Sequence, residues 1–350
     1  VPQMIFGELL TSANYDKTEK KITGGKNGYG AKLTNIFSLE FTVETVDSDR
    51  KLKFVQTFKD NMSVKSDPKI TKCSKDPYTK ITFKPDFKKF GMKKLDSDTM
   101  SLLKKRVYDI AAVTDSSVNV YFNGKKIDCK TFDKYVDLYI GGKKETPRIY
   151  EYVNDRWEIV ACVSPDDKFE HVSFVNGVYT YKGGKHVEYA SRHICKKLQN
   201  YAATKGYKRK KMKLKQSVIQ DNLMLFIRST IENPSFDSQT KEYLTTPSSK
   251  FGSSINVSDK FIEKLAKMGV LEKAMKLSEY KMDNLMKNKT GKKQNTIRGI
   301  PKLEDANWAG GKKGNECTLI LTEGDSAKST AVAGLSVIGR DKYGVFPLRG

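Results

Sequence analysis

Gly24-Gly25-Lys26-Asn27-Gly28-Tyr29-Gly30 packs four glycines into seven residues, a density that neither a helix interior nor a strand interior tolerates. The segment must be a loop. Its backbone N–H groups can close around oxyanions where a Cβ would bar approach. Lys26 and Lys32 add positive charge, and residues 31–37 read as a helix whose N-terminus favours an anion. The spacing is not the dinucleotide G-x-G-x-x-G. Nor does Ala31-Lys32-Leu33 supply the Gly-Lys-Ser/Thr of a Walker A loop. A phosphate cradle and a glycine-rich surface turn both fit this spacing.

Charge narrows the partner. Lys and Arg number 64 against 41 Asp and Glu, a net +23 over 350 residues, which predicts a polyanion, nucleic acid before membrane surface. The excess is concentrated between Lys196 and Lys215, where nine basic residues occur with no acidic one, and Tyr201 and Tyr207 lie among them. Such a run implies sequence-blind phosphate contacts. No apolar stretch approaches the ~20 residues of a membrane-spanning helix. The opening residues carry no charged leader, so export gains no support. Five scattered cysteines without a C-x-x-C pair, and three distant histidines, argue against a disulfide scaffold or zinc site. Reduced thiols in a cytosolic or nuclear protein are expected.

The length suits two or three domains. Residues 39–46 and 52–58 alternate as paired strands. Met100, Leu103, Val107 and Ile110 predict a helix after a cap at Ser97 or Asp98. Asn123-Gly124 predicts a hairpin with a primed turn. A second unit starts near 140, with strands over 157–163 and 171–181 and a helix over 187–201. Phe261, Ile262, Leu265 and Met268 form a further helical face after Ser258, and the Lys- and Asn-rich stretch 281–298 reads as a linker. Thr318-Leu319-Ile320-Leu321-Thr322 then predicts a buried parallel strand delivering Glu323-Gly324-Asp325-Ser326 to a crevice. Glu323 there suits a hard cation such as Mg²⁺, or the acids simply cap a helix. Gln239-Thr240-Lys241 follows Pro234 in a polar loop and has no compositional distinction.

Together these motifs resemble one family. Leu10-Thr11-Ser12-Ala13-Asn14-Tyr15 with Thr23-Gly24-Gly25-Lys26-Asn27-Gly28-Tyr29-Gly30-Ala31-Lys32 is similar to the ATP-lid region of eukaryotic DNA topoisomerase II. So are Phe236-Asp237-Ser238-Gln239-Thr240-Lys241, Gly299-Ile300-Pro301-Lys302-Leu303, the stretch from Thr318 to Ala327, and the segment from Gly339 to Gly350. The order is kept from end to end.

The resemblance implies an α+β, multi-domain chain: the C-terminal part of a GHKL ATPase domain (1–135), a βαβ-containing transducer domain (136–280), a linker (281–314) and the start of an α/β Toprim domain (315–350). It implies ATP contacts from Ser12, Ala13 and Asn14, from Gly25, Lys26, Asn27, Gly28, Tyr29, Gly30, Ala31 and Lys32, and from Gln239, Thr240 and Lys241. Lys241 would meet the γ-phosphate. Ala13 departs from the family's usual Ser, and Lys26 from a commoner Arg, which keeps charge but loses bidentate geometry. Lys205, Lys208, Arg209, Lys210 and Lys211 would contact double-stranded DNA, and Glu323 would be the first Mg²⁺-binding acid of Toprim.

In the family the ATPase general base, its Mg²⁺-binding Asn and the DNA-cleaving tyrosine lie on parts of the enzyme outside this stretch. The expectation is therefore a piece of a nuclear, homodimeric enzyme that uses ATP and Mg²⁺, with no membrane partner and no complete catalytic set of its own. Two rivals stand beside it: the ATPase/Toprim subunit of a bacterial gyrase-like enzyme, and a non-catalytic basic DNA-binding protein.

Overall fold

In the computed structural model the alternating segments 39–46 and 52–58 become antiparallel strands Ser38–Asp47 and Leu52–Lys59, paired from Glu40↔Lys59 to Asp47↔Leu52. Tyr78–Pro85 adds on the other side of Ser38–Asp47, and two short strands, Val64–Lys65 and Lys69–Lys72, complete a five-stranded sheet. One face buries Phe41, Val43 and Phe58, with Phe6 from the short helix Pro2–Gly7 packed on them. Residues 1–16, 18–204, 214–278, 300 and 302–348 are described in the structure. The basic residues Lys205, Lys208, Arg209, Lys210 and Lys211 lie outside them. The chain divides into two units, Val1–Ser278 and Glu279–Gly350.

The second sheet of the first unit runs Val178–Tyr179, Glu170–Val175, Leu223–Ser229, Trp157–Val163, Ile149–Asn154. Glu170–Val175 and Leu223–Ser229 are parallel and joined through the helix Lys185–Thr204, the expected βαβ unit. Strand alternation sorts this sheet onto two cores. Ile159, Ala161, Leu225 and Ile227 pack with Val187, Ala190, Ile194 and Leu198 of that helix and with Phe261, Ile262 and Leu265 of Asp259–Lys267. Val160, Cys162, Phe174 and Phe226 face Phe132, Tyr135 and Val136 of Phe132–Ile140 and Ala111 and Ala112 of Ser97–Val113. Each fully buried large side chain contributes about 1.5–3 kcal/mol. Ser258 caps Asp259–Lys267, its hydroxyl accepting from Phe261 N at 3.0 Å. The Asn123-Gly124 hairpin forms as predicted, with φ of 49° and 74°.

Ser97–Val113 differs from expectation in two ways. Its cap is Asp96, one residue earlier, accepting from Thr99 N at 2.8 Å. Met100, Leu103 and Ile110, whose spacing predicts the helix, are exposed, while Asp109 is buried. Asp109 can face the interior because Lys105 donates to both its oxygens at 2.9 Å and the Tyr135 hydroxyl at 2.6 Å. The limit expected at 135/136 falls inside the continuous helix Phe132–Ile140.

In the second unit, Thr318–Glu323 and Tyr343–Leu348 are parallel and joined by the helix Gly324–Ile338. The strand is parallel as predicted, but it is not buried: Leu319 and Leu321 are 50% and 56% exposed. Among the described residues this unit buries only Ala306, Leu335 and Val345 as hydrophobic side chains, too few to cover both faces of the strand. Part of the stretch expected as linker is ordered here, since Glu304 bridges to Val345.

Candidate functional site

The glycine loop forms as a loop, and the helix after it spans Tyr29–Ile36, two residues earlier than predicted. Gly28 sits at its N-cap with φ +65°, and a Cβ there would lie 2.5 Å from Thr11 O. Only glycine serves both demands. Lys32, expected as a phosphate contact, is buried and its ammonium donates to Thr11 O at 2.8 Å. The loop is then fastened to the segment before it. Ser12 Oγ donates to Lys26 O at 2.6 Å, Asn14 Nδ2 to Gly25 O at 2.9 Å, and Tyr15 Oη to Asn27 O at 3.3 Å. Lys21 Nζ donates to Ala13 O. Ser12 and Asn14 thus hold the loop's carbonyls, which leaves its N–H groups as the available face.

Asn14, Gly25, Lys26 and Asn27 line a cleft of about 960 Å³ whose opposite wall contains Gln239 and Lys241. The two walls are more than 200 residues apart in sequence. A Cβ at Gly25 would meet nothing within 4 Å, so the backbone there is open to a ligand. Lysines dominate the lining: Lys20, Lys21, Lys26, Lys241 and Lys250, against Asp16 and Glu232. Burial pulls the Lys241 ammonium below the usual lysine value, and among the described residues no carboxylate offsets it. A partly desolvated cation with no counter-charge is the chemistry of an anion site. Ser12, Ala13, Gly28, Tyr29, Gly30, Ala31, Lys32 and Thr240 are not on this lining; Ser12 and Lys32 brace the loop instead.

The Lys241 loop is positioned by the second sheet. It leaves Leu223–Ser229, turns at Pro234 and returns as Tyr243–Leu244, which pairs in parallel with Gly183–Gly184. Lys241 itself has φ +59°. Two residues without any sequence signal tie the loop to the lid: Asn233 donates from its backbone N to Lys21 O at 2.8 Å, and Asn176 Nδ2 reaches Thr23 O at 3.4 Å. Asparagine in a turn reads as an ordinary turn former, so nothing in the sequence separates them from others.

Glu323 ends its strand, as expected, and is exposed at the start of Gly324–Ile338, with no side-chain cap hydrogen bond among the described residues. Among the described residues no three acidic, histidine or cysteine side chains gather as a metal site.

Residues 125–295 match the family model described as DNA gyrase B. Over its whole length the chain is 49% identical to DNA topoisomerase 2 of Arabidopsis thaliana and 47% identical to that of Saccharomyces cerevisiae, covering 24% and 25% of those proteins. The crystal structure of the ATPase region of Saccharomyces cerevisiae topoisomerase II is 45% identical, with a TM-score of 0.72 across 80% of this chain and 71% of that one. The chain belongs to the eukaryotic DNA topoisomerase II family. The ATPase and transducer domains of the Balamuthia mandrillaris topoisomerase II match similarly, with 44% identity and a TM-score of 0.75 over 81% of this chain and 72% of that one. The chain spans about a quarter of the length of the curated relatives it matches. The α+β character expected from the motifs is the fold of these neighbours. Relatives matched over the whole chain are DNA topoisomerase 2 proteins, which disfavours both rival readings.

Proposed function

We propose that the chain is the ATP-sensing segment of a type II DNA topoisomerase, which cleaves one duplex, passes a second through it and reseals the first. What carries the reading is the shared cleft: Gly25 backbone on one wall and the partly desolvated Lys241 ammonium on the other. ATP supplies a triphosphate whose hydrolysis drives the cycle. The lid's glycines let backbone N–H groups approach it, Lys26 and the cleft lysines offset its charge, and Lys241 contributes a point charge at its far end. A loop rooted in the second sheet then reads whether the terminal phosphate is present.

The remaining assignments belong to the same proposal. Residues 1–135, 136–280, 281–314 and 315–350 correspond to ATPase part, transducer, linker and Toprim start. Lys205, Lys208, Arg209, Lys210 and Lys211 contact double-stranded DNA, Glu323 binds Mg²⁺, and the parent works as a nuclear homodimer. No helix among the described residues is long and apolar enough to cross a membrane.

Lys241→Ala in the full-length parent tests the reading. A charged contact to the reacting phosphate is worth about 1.5–3 kcal/mol, so kcat for ATP should fall at least about tenfold. ADP affinity should hardly change. No loss of kcat would remove Lys241 from the site, and equal losses for ATP and ADP would indicate a damaged fold.

A further inference from the structure

Residues 19–24 of the lid meet residues 232–233, just after strand Leu223–Ser229, and the turn 176–178, and among the described residues the hydrogen bonds across this seam come from two asparagines. Asn233 Oδ1 accepts from Lys21 N at 3.1 Å while its Nδ2 donates to Glu19 O at 3.0 Å. With its backbone N on Lys21 O at 2.8 Å, one residue makes three hydrogen bonds to three lid backbone groups. Asn176, in the turn after Glu170–Val175, accepts from Ile231 N at 2.7 Å and donates to Ile231 O at 2.8 Å and Thr23 O at 3.4 Å. Gly24 closes the seam: a Cβ there would fall 2.6 Å from Val178 Cγ2. Beyond that point the seam is polar and solvent-accessible, with Lys20–Glu232 at 3.6 Å as an ion pair. Both asparagines have positive φ, 49° and 43°.

The chain from Asn233 continues directly through Pro234 to Gln239 and Lys241, and the chain from Lys21 directly to Gly25. The two walls of the cleft are therefore joined, within eight residues of each functional group, by the same short seam. We infer that Asn233 and Asn176 are positioning residues that make the lid and the Lys241 loop open and close as one body. This rests on the nucleotide reading of the cleft for its purpose, but the mechanical coupling exists without ligand. Seams held by exposed hydrogen bonds open locally far more readily than packed cores, so coupling strength is set by these few bonds. Small displacements matter here, because ångström-scale misplacement of groups at a reacting centre costs large factors in rate.

Hydrogen exchange resolved by mass spectrometry on the 350-residue chain tests the inference. Asn233→Ala removes two side-chain bonds and should raise exchange of the Lys21 amide, which donates to Asn233 Oδ1, roughly tenfold, while core amides at Leu225 and Ile227 stay as slow as in the unmodified chain. Asn233→Asp keeps the acceptor for Lys21 N and should recover part of that protection. Unchanged Lys21 exchange in Asn233→Ala overturns the proposal. Faster exchange in the core as well would mean lost folding, and Asn176→Ala then decides by the same comparison. In a second arm, run on the full-length parent, Mg²⁺ with an imido-bridged, non-hydrolysable ATP analogue should slow residues 19–27 and 237–242 together in the unmodified enzyme. In Asn233→Ala it should slow them unequally. Equal slowing in the variant overturns the coupling. No slowing in the unmodified parent defeats the nucleotide reading, while the ligand-free arm still decides the seam.

Discussion

Two lysines, Lys32 and Lys241, show how surroundings assign a role to one residue type. Lys32 is buried against Thr11 O and serves the loop's shape, whereas Lys241 is partly desolvated without a counter-charge among the described residues, which suits the phosphate proposed for the cleft. His186 is a third case, fully buried, with Thr180 Oγ1 at 3.1 Å from its Nε2. Burial, helped by nearby His171, pushes its pKa down to about 3. An unfolded histidine titrates near 6.5, so between these values the unfolded state binds the extra proton. His186 therefore stabilises the fold fully above about pH 6.5 and progressively less as the pH falls toward 3. Denaturant unfolding at pH 7.5 and 5.5 should show the unmodified chain losing about 1 kcal/mol more than His186→Gln. Identical losses in the two proteins would mean that His186 does not stay neutral in the folded state.

At the scale of elements, the parallel pairing of Gly183–Gly184 with Tyr243–Leu244 decides where the Lys241 loop sits. Gly184 has φ +133°, and a Cβ there would lie 2.4 Å from Leu244 N and 2.5 Å from Leu244 O. Neither backbone atom can yield without breaking the pair. Gly184→Ala should cost about 2 kcal/mol or more in denaturant unfolding and lower the parent's ATPase rate with it. Gly142 offers the contrast: nothing lies within 4 Å of its added Cβ, and Gly142→Ala should stay within about 0.5 kcal/mol of the unmodified chain. Similar costs at the two sites would argue that the closeness of Leu244 is not what demands glycine.

The net +23 belongs to the molecule as a whole, yet its densest part is local. Replacing Lys208, Arg209, Lys210 and Lys211 with Ala should weaken binding to every duplex alike. The slope of log K against log[salt] should flatten by roughly 0.9 for each phosphate that is no longer neutralised. A slope that does not move would leave these side chains facing solvent. For Glu323→Gln in the parent, the charge proposed to hold Mg²⁺ is removed at nearly constant size, so DNA cleavage should collapse while ATP binding persists. Cleavage with ordinary Mg²⁺ dependence would instead make Glu323 a helix-start residue only.

What the sequence determined by itself is local in origin. Four glycines in seven residues force a loop, Asn123-Gly124 forces a primed turn, Ser258 starts a helix, and an apolar run followed by Glu323-Gly324 sets strand and helix in order. In each case the decisive energy lies between residues a few positions apart, in φ preference, capping or periodicity, so spacing alone reveals it. The motif resemblance supplied the link from the lid to Gln239-Thr240-Lys241, which composition could not. Tertiary structure alone decided that Ser97–Val113 buries Asp109 rather than its apolar stripe, because Lys105 and Tyr135, the latter 26 residues away, satisfy the carboxylate. It alone turned Lys32 inward, left Leu319 and Leu321 half-exposed, and joined lid to loop through Asn176 and Asn233. Those outcomes rest on hydrogen bonds and burial between segments more than 20 to 200 residues apart, made by residue types common in any turn or helix. Such pairings have no period and no spacing, so they exist as information only once the chain has folded.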